Sequence, residues 1–240
     1  MPDSPNDQVI VALDFPTRKA ALEVVDALEG DASFFKVGAQ LFAEEGPDFV
    51  KELKKKGKRV FLDLKFHDIP NTVAGAVRAA SRHGADVLTV HAAGGEAMLS
   101  AAREAAGEDG PVVVAVTLLT SLTSEDVEHV FGRSPVSLVD EVVRLAGIAV
   151  AAGLPGVVAS PTEVKPIKRS YGDVLSVITP GIRLLGDDPA DQSRYATPEE
   201  AARAGADFIV VGRSITGADD PVAAFEAVTK SFAGAGRART

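Results

Sequence analysis

The sequence predicts an α/β protein, a (β/α)8 TIM barrel forming a single domain over residues 1–240. Three observations point to it. Short runs rich in Val, Ile and Phe alternate with longer amphipathic stretches along the chain. The runs number eight, which allots about 30 residues to each strand-plus-helix unit, the length such a unit needs. No linker or shift in composition divides the 240 residues, enough for one large buried core. Alternation alone would serve an open, doubly wound sheet equally well.

The expected strands are 9–14, 34–37, 59–65, 87–91, 112–117, 156–159, 174–179 and 208–212. Helices are expected between them, among others at 17–29, 71–83, 95–106 and 197–204. The last opens with Thr197 as cap, Pro198 at the first helical position and glutamates in the first turn. Gly57, Gly84, Gly153 and Gly205 close helices. About seven residues at each end are polar or Gly-rich and read as frayed.

Charge narrows the function. A net charge of −9 argues against nucleic-acid or acidic-membrane binding, which need a basic surface. A few local cations could still hold a small anion. The absence of cysteine excludes disulfides, thiolate metal sites and cysteine nucleophiles, and fits a cytoplasmic protein. The N-terminal MPDSPNDQ lacks the basic and apolar regions of a signal peptide. No apolar stretch approaches the ~18 residues of a membrane span.

Side-chain alternation locates the chemistry. Along 59–65, Val60, Leu62 and Leu64 share one face, and Phe61, Asp63 and Lys65 share the other. The second face would point into a barrel near the C-terminal end of the strand. The first strand ends in Asp14, the second carries Lys36, the fourth ends in His91 and the fifth in Thr117. One polar residue at a strand end is ordinarily a solvated group. Several together mark the catalytic mouth of a barrel. The segment DLKFHDIPNT, Asp63 to Thr72, contains Asp-x-Lys-x-x-Asp. A lysine among carboxylates stays charged and oriented, and can donate a proton where negative charge develops. As a bare pattern the motif is short enough to occur by chance.

DLKFHDIPNT resembles the signature segment of the orotidine 5'-monophosphate decarboxylases, in their bacterial form. The resemblance continues in order through VALD (Asp14), FKVGAQLF (Lys36), VHAAGG (His91 onward), VTLLTS (Thr117 to Ser121), TPGIR (Arg183), DQSR (Gln192) and VGRSIT (Gly212, Arg213). Region 122–155 matches least. The resemblance tips the fold toward the closed barrel. It implies decarboxylation of orotidine 5'-monophosphate to UMP, the last step of de novo pyrimidine synthesis, without metal or other cofactor. It also implies residue roles. Lys65 would protonate C6 and Asp63 would sit against the substrate carboxylate. Lys36 and Asp14 would hold ribose hydroxyls and brace the charges. Thr120 would lie by the pyrimidine. Arg213, the Gly212 N–H and Gln192 would hold the phosphate, with Arg183 on the same side. Asp68 and Thr72 would cross into the partner site of a homodimer.

The residues give some support of their own. VVGRS is a strand running into a Gly turn at unit eight, where barrels commonly bind phosphate; otherwise Gly212 is a plain tight turn. The loop 180–194 is long, polar and rich in Gly and Pro, as a lid or a plain surface loop would be. His67 is read as structural, and His91 is left without a role. Two rivals remain at this point: a Mg²⁺-dependent phosphosugar aldolase or decarboxylase of a related barrel family, and a non-catalytic phosphate-binding barrel. The LTS block, the DQ pair and DIPNT point away from the first. The cost of unneutralised interior charges without a function argues against the second.

Overall fold

The computed structural model describes residues 4–132, 137–185 and 195–236. Among them, eight strands close a parallel barrel in sequence order, with the eighth pairing the first. They are β1 (Val9–Ala12), β2 (Phe34–Gly38), β3 (Arg59–Phe66), β4 (Val87–His91), β5 (Val112–Val116), β6 (Gly156–Val158), β7 (Ser176–Thr179) and β8 (Phe208–Val211). All eight expected strands are present, several ending a residue or two early where the chain turns away into the mouth. The helices are α1 (Arg18–Ala27), α2 (Ala39–Lys55), α3 (Pro70–His83), α4 (Gly95–Ala106), α5 (Ser124–Phe131), α6 (Leu138–Ala151), α7 (Pro161–Tyr171), α8 (Pro198–Ala204), α9 (Arg213–Thr216) and α10 (Pro221–Gly236). No helix of the described residues is long and apolar enough to cross a membrane.

Alternation sorts the strand side chains into two cores. Outward residues such as Val11, Val37, Leu62, Leu88 and Val177 pack under the helices. Inward residues Ile10, Ala12, Phe34, Phe61, Val87, Val114, Ile178 and Val210 fill the barrel axis. The bottom is plugged. Phe34 meets Phe208 edge to face at 6.5 Å, and the Arg59 guanidinium lies 4.1 Å from the Phe34 ring centroid. The interior is therefore open only toward the C-terminal ends of the strands.

One device appears twice, half a barrel apart. Gly84-Ala85-Asp86 precedes β4, and Gly205-Ala206-Asp207 precedes β8. Each glycine is left-handed, at φ 89° and 103°, and ends its helix. Each aspartate carboxylate then accepts from a backbone N–H of the preceding strand, Val60 to Asp86 and Val177 to Asp207, both at 2.7 Å. Each is also paired with a lysine of an earlier helix, Lys54 to Asp86 and Lys168 to Asp207, both at 2.7 Å. The pairs fix β3 against β4 and β7 against β8 at the bottom, and so set the register that delivers residues to the top. Asp86→Ala leaves the Val60 N–H and Lys54 without this partner. It is expected to cost about 1–3 kcal/mol in urea unfolding, chiefly through the orphaned amide. A loss below ~0.5 kcal/mol, the level of an ordinary surface change, would contradict that role.

Candidate active site

The open end of the barrel holds a pocket of about 530 Å³, the size of a small-ligand site. Ala12, Phe61, Val158 and Val210 line its apolar part, and Leu118 to Ser121 after β5 form one wall. Asp14, Lys36, Asp63, Lys65, Thr120, Arg183, Gly212 and Arg213 all line it. Four cations thus face two carboxylates, in a chain whose net charge is −9. That local reversal suits a ligand with more than one negative charge.

The charged side chains from β1 to β3 touch. Lys65 Nζ lies 2.9 Å from both oxygens of Asp63. Lys36 Nζ lies 2.8 Å from Asp14 Oδ1 and 3.8 Å from Asp63 Oδ2. Asp14, Lys36, Asp63 and Lys65 therefore form one connected array of alternating sign. Lys36 is almost fully buried, whereas the Asp14 side chain is mostly exposed to the pocket. Gly38 makes room for the outer pair: a Cβ there would stand 3.1 Å from both Asp14 Oδ1 and Lys36 Nζ. Sequence reasoning passed over Gly38, although its place at the end of β2, two residues beyond Lys36, carried the signal.

Lys65 is the one non-glycine residue with positive φ among the described residues, at 51°. The pairing explains it. Leu62 stands opposite Leu88 and Phe66 opposite Val90, so three residues of β3 face Thr89 alone. The bulge pushes Asp63 and Lys65 into the mouth. Thr89, fully buried, accepts from the Lys65 N–H at 2.8 Å and donates to Asp63 Oδ1 at 3.0 Å. Neither the bulge nor Thr89 was anticipated from the sequence.

Arg183 is buried after β7, and its guanidinium donates to the Ile182 carbonyl at 3.0 Å. Its backbone is tied to the far side of the loop: Arg183 N–H donates to Ala196 O at 3.0 Å, and Ala196 N–H to Gly181 O at 3.1 Å. Arg213 opens α9, whose turn is closed by the Ile215 and Thr216 N–H groups on Gly212 O. Gln192, and with it most of the expected lid, lies outside the described residues.

Two expected site residues do not join the array. Asp68 and Thr72 are exposed beyond β3, and neither lines the pocket. Asp68 Oδ1 accepts from the N–H of Ile69, and among the described residues the carboxylate paired with Lys65 is that of Asp63. His67 and His91 stack face to face, centroids 5.4 Å apart and planes 23° from parallel. His91 Nδ1 accepts from the Ala93 N–H at 3.3 Å, which places the neutral ring's proton on Nε2. No group of three or more His, Asp or Glu side chains placed to share a metal ion occurs among the described residues.

Comparison with known proteins follows the same lines. Residues 7–228 match the model of the orotidine 5'-phosphate decarboxylase / HUMPS family. The chain is 49% identical to the orotidine 5'-phosphate decarboxylase of Moorella thermoacetica, over 92% of this chain and 90% of that protein. It is 46% identical to that of Saccharophagus degradans, over 95% and 96%. The crystal structure of orotidine 5'-phosphate decarboxylase from Lactobacillus acidophilus superimposes with a TM-score of 0.81 at 40% identity, over 93% of this chain and 98% of that one.

The histidine stack makes stability pH-dependent. Burial, then His67, then Lys65 push the His91 pKa below its ordinary 6.5, so the folded state prefers the neutral ring. The contribution of His91 is complete above pH 6.5 and is lost as pH falls through the depressed folded value. In His91→Asn, Oδ1 can replace Nδ1 toward Ala93 without titrating. Unfolding followed downward from neutral pH is expected to show a shallower acid decline for this variant. Parallel declines would remove His91 from the account.

Proposed function

The chain belongs to the orotidine 5'-phosphate decarboxylase / HUMPS family, and from that premise we propose how its pocket converts orotidine 5'-monophosphate to UMP. The protein is a carboxy-lyase of pyrimidine biosynthesis. The observation that carries the mechanistic reading is the Asp14–Lys36–Asp63–Lys65 array at the mouth of an otherwise apolar barrel.

Loss of the C6 carboxylate leaves an electron pair in the plane of the pyrimidine, where the ring π system cannot spread it. The protein must lower the barrier electrostatically, by an amount at the large end of the ~8–23 kcal/mol enzymes usually supply. Charges fixed before the reaction do this without reorganisation at the moment of bond breaking. The substrate carboxylate sits against Asp63, and the C6–carboxyl bond breaks with its electron pair remaining on C6. Lys65 Nζ gives a proton to C6 as carbon dioxide leaves, and the resulting amine regains a proton from solvent. Lys36 and Asp14 hold the ribose hydroxyls, and Thr120 lies beside the base. Arg213, the Gly212 N–H and Arg183 hold the phosphate, joined by Gln192. The phosphate grip is remote from the chemistry, so its binding energy serves to align C6 with the array.

The active form is a cytoplasmic homodimer in which Asp68 and Thr72 complete the partner's site. Their exposure supports this, as does the exposed apolar Ile69 between them. The Mg²⁺-dependent phosphosugar chemistry elsewhere in such barrels is not favoured here. Asp63, the carboxylate it would draw on, already has Lys65, Lys36 and Thr89 around it.

Ultraviolet loss from orotidine 5'-monophosphate tests the chemistry. EDTA-treated protein is expected to remain fully active, and Lys65→Ala to lose nearly all turnover while still binding UMP. A Lys65→Ala protein within about tenfold of the parent lies below the typical 10²–10⁴ of acid–base catalysis and would sink the assignment. Metal-dependent recovery of stripped protein would favour the phosphosugar reading. Mixing inactive subunits tests the shared site. Lys65→Ala and Asp68→Ala, each first shown to be severely impaired, are unfolded together and refolded in equal amounts. Half the dimers are then mixed, with one site carrying both defects and one carrying neither. About a quarter of parental activity is expected to return. A flat zero, with subunit exchange verified, would place Asp68 in its own subunit's site.

A further inference from the structure

Thr89 touches both members of the reactive pair without carrying charge itself. It lies on β4 between Leu88 and Val90, whose partners on β3 are Leu62 and Phe66. Asp63, Leu64 and Lys65 therefore have one residue opposite them where a regular ladder would supply three. The Lys65 N–H goes to Thr89 Oγ1 at 2.8 Å, and the same hydroxyl passes its proton to Asp63 Oδ1 at 3.0 Å. The side chain is 0% exposed, so water does not compete for either bond.

We propose that Thr89 is a positioning residue for the decarboxylation: its hydroxyl holds Lys65 in the left-handed backbone conformation and turns the Asp63 carboxylate toward Lys65 Nζ. The proposal rests on the reading of Lys65 as proton donor. A hydroxyl carries one donor and two acceptor sites, and here one oxygen at the end of a short, stiff side chain uses both kinds. The Asp63 carboxylate needs such a tether because it has cations on two sides, Lys65 at 2.9 Å and Lys36 at 3.8 Å. Without the Thr89 donor it can rotate toward Lys36. Without the Thr89 acceptor, Lys65 keeps a φ of 51° with nothing at its N–H to hold it there. Valine has nearly the same shape and can do neither. The phosphate grip comes from Arg183 and Arg213, beyond β7 and β8 and across the barrel from this contact. Loss of the hydroxyl should therefore slow turnover and spare ligand binding.

The experiment measures kcat and KM for orotidine 5'-monophosphate, and UMP binding by calorimetry, for Thr89→Val, Thr89→Ala, Thr89→Ser and Lys65→Ala. Thr89→Val and Thr89→Ala are expected to lose on the order of 10²-fold in kcat, the cost of misplacing a reacting group by about an ångström. KM and the UMP Kd should stay within roughly threefold, because ground-state binding is untouched. Thr89→Ser keeps the oxygen and should restore kcat to within roughly tenfold of the parent. If Thr89→Val does not fold, the Ala and Ser variants, both smaller than threonine, make the same comparison. Valine and alanine variants with parental kcat beside an inactive Lys65→Ala would overturn the proposal and leave the proton-donor reading intact. An active Lys65→Ala would overturn both. A serine variant as slow as alanine, or UMP binding lost in step with kcat, would reduce Thr89 to a packing residue.

Discussion

The left-handed backbone at Lys65 is the constraint around which the active end of this barrel is arranged. Such a conformation in a residue with a Cβ costs of order 1–3 kcal/mol and persists only where the surroundings over-determine it. Three contacts do so here: the N–H bound by Thr89, the ammonium held by both oxygens of Asp63, and Phe66 back in register opposite Val90. The array that follows from it is short and continuous. Asp63 lies between the two lysines, and Lys36 passes the alternation of sign on to Asp14. The rest of the fold supplies rigidity beneath it, from the aromatic plug at Phe34 to the Asp86 clamp that seats β3 against β4.

The mouth divides its labour around the ring. The ends of β1 to β3 place Asp14, Lys36, Asp63 and Lys65 at the pocket, and the segments after β7 and β8 place Arg183 and Arg213 there. In the proposed reading a nucleoside monophosphate bearing a ring carboxylate spans both regions, its phosphate toward the two arginines and its ring toward the charged array. On that reading, the separation lets interactions with the phosphate be strong without burying the reacting carboxylate in positive charge. Gly38 shows how closely the chemical half is packed, since even a methyl group there would crowd the Asp14–Lys36 pair.

Much of this was legible in the sequence, and the exceptions have physical reasons. The eight strands declared themselves through composition and spacing, and parity put Asp63 and Lys65 inside. That inference survived the bulge because an excess of two residues on β3 leaves the alternation in phase; an excess of one would have reversed it. For the same reason the bulge itself left no trace in the pattern. Thr89 was invisible because VLTVH reads as an ordinary strand, and a buried threonine is typical of one. The paired Gly-Ala-Asp clamps were present as a repeat and went unread, since a charge just before a strand looks like a turn residue. The expectation of a lysine between two carboxylates held for Asp63, whereas Asp68 is exposed, bonds the Ile69 N–H and does not line the pocket. In the proposed reading that second carboxylate comes from a partner chain, a possibility that the strand pattern of a single sequence does not display.

The central claim is that the Lys65 ammonium delivers a proton to the reacting carbon and does not merely place a positive charge there. Because the chain has no cysteine, a Lys65→Cys protein carries a single thiol for selective alkylation. Treatment with 2-bromoethylamine rebuilds a primary ammonium at nearly the native length. Treatment with (2-bromoethyl)trimethylammonium installs a charge with no proton to give. The account predicts that the first product recovers decarboxylation of orotidine 5'-monophosphate by about 10²-fold or more over the unmodified thiol, in line with the usual contribution of a positioned acid. The second should stay at the level of the thiol while still binding UMP. Equal turnover from the two alkylated proteins would contradict it.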